Sequence, residues 1–274
     1  DRRCPIITEG TRDVDLKLGG KTVLITGASQ GIGAGLAAAF AAEGCHRHLT
    51  ARNLANLENV KAGIARQSPD VTVRLHPADL TQSGACAALA DAAGDVDILV
   101  NNAGVIPSGP LEDVDEQKWR AGWELKVFGY INMCRLYYPR MKAQGGGVII
   151  NNIGNGGEIY DPRYIAGTTG NASLMAFTRA LGGYSLDDNI RVLGVNPGPV
   201  DTDRIYNMLK KRAKEWLGDE SRYHELQERY PLKRPAHVHE IADLIVFLAS
   251  YRSGYTSGSI MTVDGGIASR RSII

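Results

Sequence analysis

The chain has 274 residues, 43% of them hydrophobic and 22% charged, which is enough apolar material for one packed α/β unit. A net charge of +1 argues against a nucleic-acid footprint, and no apolar run approaches the roughly 18 residues of a membrane span. Four scattered cysteines (Cys4, Cys45, Cys86, Cys134) without C-x-x-C spacing fit reduced cytoplasmic thiols better than a disulfide frame or a zinc site.

The N-terminal extension, residues 1–14, is polar and charged and lacks the apolar stretch of a signal peptide. It is expected to be flexible or to dock on a neighbouring subunit. From residue 21 to 263, strand and helix patterns alternate. Short continuous apolar runs near 22–26, 46–50, 71–76, 97–100, 147–152, 190–196 and 259–263 predict parallel strands covered on both faces. Between them, Ile32–Ala42 predicts a small, Ala-rich helix suited to close packing. Glu116–Lys142 predicts a long one, with Asp113 and Glu116 as its capping box. Asn171–Tyr184 and His239–Ser250 predict the later helices. This alternation predicts a doubly wound parallel sheet of seven strands in a single domain, 15–274, with right-handed crossovers.

Residues 201–230 interrupt the rhythm with a charged insertion carrying Arg204, Ile205, Met208, Trp216 and Tyr223. An insertion beyond the carboxyl end of a strand is where open α/β sheets place lids, and a lid is expected here. The plainer alternative is a solvated helical hairpin. His237 and His239 lack a nearby third ligand, so they are expected to be surface residues at a helix start, with no metal site.

The run Thr22-Val23-Leu24-Ile25-Thr26-Gly27-Ala28-Ser29-Gln30-Gly31-Ile32-Gly33 is a buried strand, a glycine turn and a helix start. Gly27, Gly31 and Gly33 relieve Cβ crowding at the turn, and the helix start then presents N–H groups to a pyrophosphate.

With these segments the chain resembles the short-chain dehydrogenase/reductase family. The matching residues are Thr26 to Gly33, Asp79-Leu80, Asn101-Asn102-Ala103-Gly104, Asn196 to Val200 with Thr202, and Val263-Asp264-Gly265-Gly266, in family order over about residues 15–267. The resemblance implies a Rossmann fold in which the turn, including Ser29, Gln30 and Ile32, holds a pyridine dinucleotide. It implies that Asp79 and Leu80 line the adenine, and that Asn102, Ala103 and Gly104 flank the ribose. Pro197, Gly198 and Thr202 are then expected at the nicotinamide end. It also implies a homodimer or homotetramer, for which the apolar Ile273-Ile274 tail is a candidate contact.

The second strand ends Leu49-Thr50-Ala51-Arg52-Asn53 and lacks the acidic residue that accepts from a ribose 2′-OH. Arg52 offers a fork for a 2′-phosphate, which favours NADP(H) over NAD(H). The alternative is that Arg52 stacks on the adenine without choosing.

The family places Ser after the fifth strand, Tyr-x-x-x-Lys on the next helix and Asn on the preceding long helix. In the ungapped register this chain has Gly154 for Ser, Gly167 for Tyr, Asn171 for Lys and Lys126 for Asn. The one Tyr-x-x-x-Lys present, Tyr138 to Lys142, lies before the fifth strand and away from the carboxyl edge. Tyr164 stands about one helical turn before the vacated tyrosine position. Tyr164 and Lys126 are therefore the candidate replacement acid pair. Against this stands the reading of Tyr164 as a packing aromatic and Lys126 as a snorkelling lysine; only nearness in register supports the pair. Asn151, Asn152, Asn155 and Asn171 crowd the same region. Amides there can orient a substrate but cannot serve as general acids, and turn chemistry among the glycines is the simpler account of them. Two functions follow. One is an NADP-dependent oxidoreductase on a small alcohol or carbonyl compound with relocated acid–base groups. The other is an NADP-binding sensor, scaffold or lyase-like enzyme without redox activity.

Overall fold

The structure is a computed structural model that describes residues 14–270. The remainder of the N-terminal extension, Cys4 and the Ile273-Ile274 tail lie outside the described residues. Seven strands form one parallel sheet in the order β3-β2-β1-β4-β5-β6-β7. They are β1 (Thr22–Thr26), β2 (His46–Ala51), β3 (Val73–Pro77), β4 (Ile98–Asn101), β5 (Gly147–Asn152), β6 (Ile190–Pro197) and β7 (Ile260–Val263). Successive side chains point to opposite faces. Val23 and Ile25 thus join a core layer with Leu36 and Phe40 of α1 (Gly31–Ala42) and Ile241 and Ile245 of α9 (Val238–Ala249). Leu24 and Ile149 join the opposite layer with Leu89 of α3 (Ala85–Ala93) and Met133 and Tyr137 of α5 (Gly129–Ala143). The strand order reverses between β1 and β4, which opens the crevice that doubly wound sheets use for ligands.

Three local expectations are corrected. The long helix is capped by Asp115, whose carboxylate accepts from the Lys118 N–H at 2.8 Å. Asp113 instead closes a 3₁₀ turn, Leu111–Asp113, because the cap must directly precede the first helical residue, Glu116. The helix is also interrupted. A π-helical turn, Glu124–Phe128, separates α4 (Glu116–Trp123) from α5 and carries Lys126. Such turns insert one residue and redirect the side chains they carry. Finally, α6 (Ile165–Gly182) begins six residues earlier than Asn171, because Gly167 and Gly170 mask its helical pattern in the sequence. The 201–230 segment contains α7 (Asp203–Leu217) and the short α8 (Tyr223–Gln227); α2 (Leu54–Gln67) completes the helices.

Candidate active site

A cleft of about 1130 Å³ lies at the carboxyl edge of the sheet, over the β1/β4 reversal. That exceeds the roughly 300–1,000 Å³ of ordinary ligand pockets and has room for a dinucleotide and a small co-substrate together. At one end stands the glycine turn. A Cβ on Gly27 would sit 2.7 Å from Ala103 Cα, and one on Gly33 would sit 2.1 Å from the Gly27 carbonyl oxygen. Only bare backbone permits this approach. Asn102 stitches the turn to β4: its side-chain amide donates to the Thr26 and Gly27 carbonyls at 3.0 and 3.1 Å. The Thr26 hydroxyl accepts from the Asn102 and Ala103 N–H groups at 2.9 and 3.0 Å. The α1 N-terminus has no side-chain cap and no acidic residue in its first turn, so its N–H groups face the cleft free to bind an anion.

Ser29, Gln30, Gly31, Ile32, Arg52, Asp79, Leu80, Asn102, Ala103, Gly104, Pro197, Gly198 and Thr202 all line this one cleft with Gly27 and Gly33. Arg52 is exposed at its rim, beside Asn53, which caps α2 by accepting from the Asn56 N–H at 3.0 Å. Asp79 accepts from the hydroxyl and N–H of Thr81 at 2.8 and 3.1 Å. Those bonds, with the nearby Arg52 charge, hold its carboxyl below the usual range. The glycine cradle, the open helix start and the Arg52 guanidinium suit a phosphorylated dinucleotide.

Lys126, Asn171, Gly154 and Tyr164 line the same cleft, and a Cβ on Gly154 would lie 3.3 Å from the Asn171 amide nitrogen. The π turn directs Lys126 inward, where it is only 8% exposed and its ammonium donates to the Ile153 carbonyl. Burial, helped by the charge of Arg204, pushes its pKa down to about 7. Asn171 is buried, and its Oδ1 has no hydrogen-bond partner among the described residues. Tyr164 precedes α6, and its ring folds back over Gly167. A Cβ on Gly167 would lie 1.9 Å from Tyr164 Cζ. The Tyr164 ring therefore fills the space into which a side chain at 167 would grow.

The asparagine cluster resolves into separate jobs. Asn101 donates to Asn151 at 2.9 Å, and Asn151 donates to the Thr178 hydroxyl at 2.9 Å, which ties β4, β5 and α6 together beneath the site. Asn152 donates to Asn102 at 2.8 Å, while Asn155 holds Asp264 at 3.1 Å. These amides are structural. Tyr138 and Lys142 both hold Asp188, at 2.9 and 2.7 Å, away from the cleft. His237 stacks on His239 with ring centroids 5.5 Å apart, at the start of α9. Among the described residues no three His, Cys, Asp or Glu side chains converge as metal ligands.

The inserted segment lines the cleft with one stripe of α7. Arg204, Met208 and Arg212, four residues apart, line it, while Leu209 and Ala213 pack with Leu226 of α8. Trp216 receives the guanidinium groups of Arg163 and Arg212 at 5.7 and 5.6 Å from its ring centroid, joining α7 to the loop before Tyr164. Arg212, Arg229 and Tyr230 escaped notice in the sequence; the four-residue spacing from Arg204 through Met208 was the available signal.

The family described as enoyl-(acyl carrier protein) reductase matches residues 27–268. The chain belongs to the short-chain dehydrogenase/reductase family. It is 32% identical over 253 residues to a 2-keto-3-deoxy-L-fuconate dehydrogenase of Xanthomonas campestris pv. campestris, covering 91% of this chain and 81% of that protein. The L-sorbose reductase of Gluconobacter frateurii, solved with NADPH and L-sorbose, superposes with a TM-score of 0.86 at 34% identity, covering 92% of this chain and 98% of the reductase. A 7α-hydroxysteroid dehydrogenase solved with NADH superposes with a TM-score of 0.81 at 29% identity, covering 92% and 96% of the two chains. Short-chain dehydrogenases/reductases are oxidoreductases of CH–OH and C=O groups. In the register drawn from the sequence, Lys126 falls at the position expected for asparagine and Asn171 at the position expected for lysine.

Proposed function

We propose that this chain is an NADP(H)-dependent oxidoreductase acting on a small alcohol or carbonyl compound, with Tyr164 and Lys126 handling the proton. The observation that carries the reading is the Tyr164 ring seated over Gly167, which returns a phenol to the place where the register lacks one. Support for the cofactor comes from the glycine cradle and Arg52, and from relatives solved with NADPH or NADH. The α1 N–H groups at Gly31 to Gly33 would hold the pyrophosphate, Arg52 the 2′-phosphate, and Asp79 and Leu80 the adenine. Asn102 to Gly104 would flank the ribose, and Pro197, Gly198 and Thr202 the nicotinamide. When bound, that ring supplies or accepts the hydride.

In the reducing direction the Tyr164 phenol gives its proton to the substrate oxygen as that oxygen gains charge. A phenol with an ordinary pKa near 10 does this poorly unless a cation stabilises the phenolate left behind. Lys126 is that cation: held near 7 by burial, it is partly charged at neutral pH and can return a proton. Asn171, which also lines the cleft, would orient a substrate or ribose hydroxyl through its amide. We assign α7 as the lid over this end, and expect a homodimer or homotetramer in a cytoplasmic setting. No described helix is long and apolar enough to cross a membrane.

The test follows NADPH absorbance against a panel of ketones, aldehydes and alcohols. Substrate-dependent oxidation that Tyr164→Phe abolishes while leaving NADPH binding intact supports the reading. The competing reading, a dinucleotide-binding protein without redox activity, is favoured by glycine at both the serine and tyrosine positions. Tight NADPH binding with no redox change across the panel would establish it.

A further inference from the structure

The distribution of charge along the cleft is uneven. Apart from Arg52 and Asp79, the cleft wall carries Lys126, Arg204, Arg212, Arg229 and Arg270 against only Asp161 and Asp203. The whole chain has a net charge of +1, so this excess is local. Asp161 is spent on Arg212, at 4.0 Å. Asp203 sits in the first turn of α7, where the helix N-terminus already favours a negative charge. Arg204 has no carboxylate partner among the described residues; its only hydrogen bond is a long one, 3.5 Å, to the Gly104 carbonyl across the cleft. The Arg229 side chain has no ion pair among the described residues either.

The placement is built rather than scattered. Arg204 and Arg212 lie two helical turns apart on one stripe of α7, with Met208 between them. The neighbouring stripe, Leu209 and Ala213, is buried against α8, which fixes the rotation of the helix and so keeps the arginines turned to the cleft. Arginines without a carboxylate partner among the described residues, Arg204 and Arg229, lining the cleft suit a bidentate oxyanion, since guanidinium forks match carboxylate and phosphate geometry.

From this arrangement we infer that the substrate carries an anionic group, a carboxylate or phosphate, which Arg204 and Arg229 grip while its alcohol or carbonyl faces Tyr164. The inference rests on the reading of this cleft as the substrate pocket. It explains why the lid sets arginines beside Ile205 and Met208 on the cleft wall, and it restricts the substrate class to hydroxy or oxo acids and sugar phosphates. An anion seated beside Arg204 also offsets the repulsion between Arg204 and Lys126, so binding favours the charged, proton-donating form of Lys126.

The experiment is calorimetry of the NADPH-loaded protein with matched probe pairs: threonate against threitol, gluconate against glucitol, and glycerol 3-phosphate against glycerol. At least one anion should bind about tenfold or more tightly than its neutral partner. Arg204→Ala and Arg229→Ala should each erase that preference while leaving NADPH affinity unchanged. Preference for the carboxylates or for the phosphate then identifies the oxyanion. The inference is overturned if no anion outbinds its partner. It is equally overturned if the arginine variants weaken both members of a pair alike, or weaken NADPH binding, which would place these arginines on the dinucleotide instead. Anion-selective binding without turnover would leave this inference standing and remove the redox reading.

Discussion

Gly167→Ala perturbs Tyr164 without touching its phenol. The added methyl would sit 1.9 Å from Tyr164 Cζ, 2.2 Å from Cε1 and 2.4 Å from Cε2. Ordinary carbon contacts are about 3.5–4.0 Å, so the ring must retreat by roughly 1.5–2 Å or α6 must shift. Two stability terms oppose each other. Alanine gains about 1 kcal/mol over glycine inside a helix, whereas overpacking a filled site costs about 1–3 kcal/mol. Gly167 is buried, so the overpacking term wins, and the melting temperature should fall by a few degrees. The catalytic cost is larger. Misplacing a reacting group by about 1 Å costs on the order of 100-fold in rate, or roughly 2.7 kcal/mol of barrier. The assay is kcat for NADPH oxidation with the best substrate, alongside NADPH affinity by fluorescence and a thermal melt. The expected result is kcat down by about 100-fold with NADPH affinity unchanged. Near-parental turnover in this variant would show that the position of Tyr164 is immaterial, and the assignment of Tyr164 as proton donor would fall.

Exchanging Lys126→Asn and Asn171→Lys together restores the family's placement of the ammonium. Asn171→Lys alone sets two amines in one pocket, so it should damage turnover more than the double variant does, with a coupling of about 0.5–3 kcal/mol between the sites; strictly additive losses would show that the two positions act independently. The Lys126 amine sits near 7 folded and near 10.4 unfolded, so between those values the unfolded chain binds the extra proton and stability rises with pH. Lys126→Met should therefore raise the melting temperature more at pH 6 than at pH 10, and an equal gain at both would contradict the buried, depressed amine. In the parent enzyme, reduction should slow as pH rises through about 7, because the ammonium is lost there. Arg52→Ala should weaken NADPH by about tenfold or more while sparing NADH, the loss of a charge-assisted contact being worth about 1.5–3 kcal/mol; equal weakening of both would make Arg52 an adenine-stacking residue.

The fold was legible because its signal is local and redundant. β5 coincides with its apolar run, Gly147–Asn152, and the other strands shift by no more than a residue or two, since a strand buried on both faces has little choice about which residues are apolar. Helix boundaries were less visible where composition argues against structure. Gly167 and Gly170 lower helix propensity, yet α6 runs through them because tertiary packing supplies what propensity lacks. The cradle was legible as well, because backbone crowding at a turn permits only glycine. At the chemical end the sequence showed Gly167 as a loss, and its use as room for another residue's ring depends on the fold of the Tyr164 side chain. The π turn that aims Lys126 inward was likewise invisible, since nothing in Glu124 to Phe128 departs from an ordinary helical pattern.

The glycines of the site form one spatial set with two side chains. A Cβ on Gly154 would meet the Asn171 amide nitrogen at 3.3 Å, and one on Gly156 would meet that nitrogen at 3.2 Å and Tyr164 Cε1 at 3.1 Å. The Gly167 position is blocked by the same tyrosine ring. A side chain at 167 is thus sterically opposed to the observed placement of Tyr164, and one at 154 would crowd Asn171. A site that had merely decayed would have no reason to hold its vacated volume filled by a phenol and a buried amide. Here a phenol and a buried amide occupy that volume, the amide keeps an acceptor unspent, and the Lys126 ammonium donates to the Ile153 carbonyl. An unsatisfied buried acceptor costs about 1–3 kcal/mol, and a buried amine costs more still, so both destabilise the protein. That cost is one physical argument for the proposed rebuilt pocket over an abandoned one.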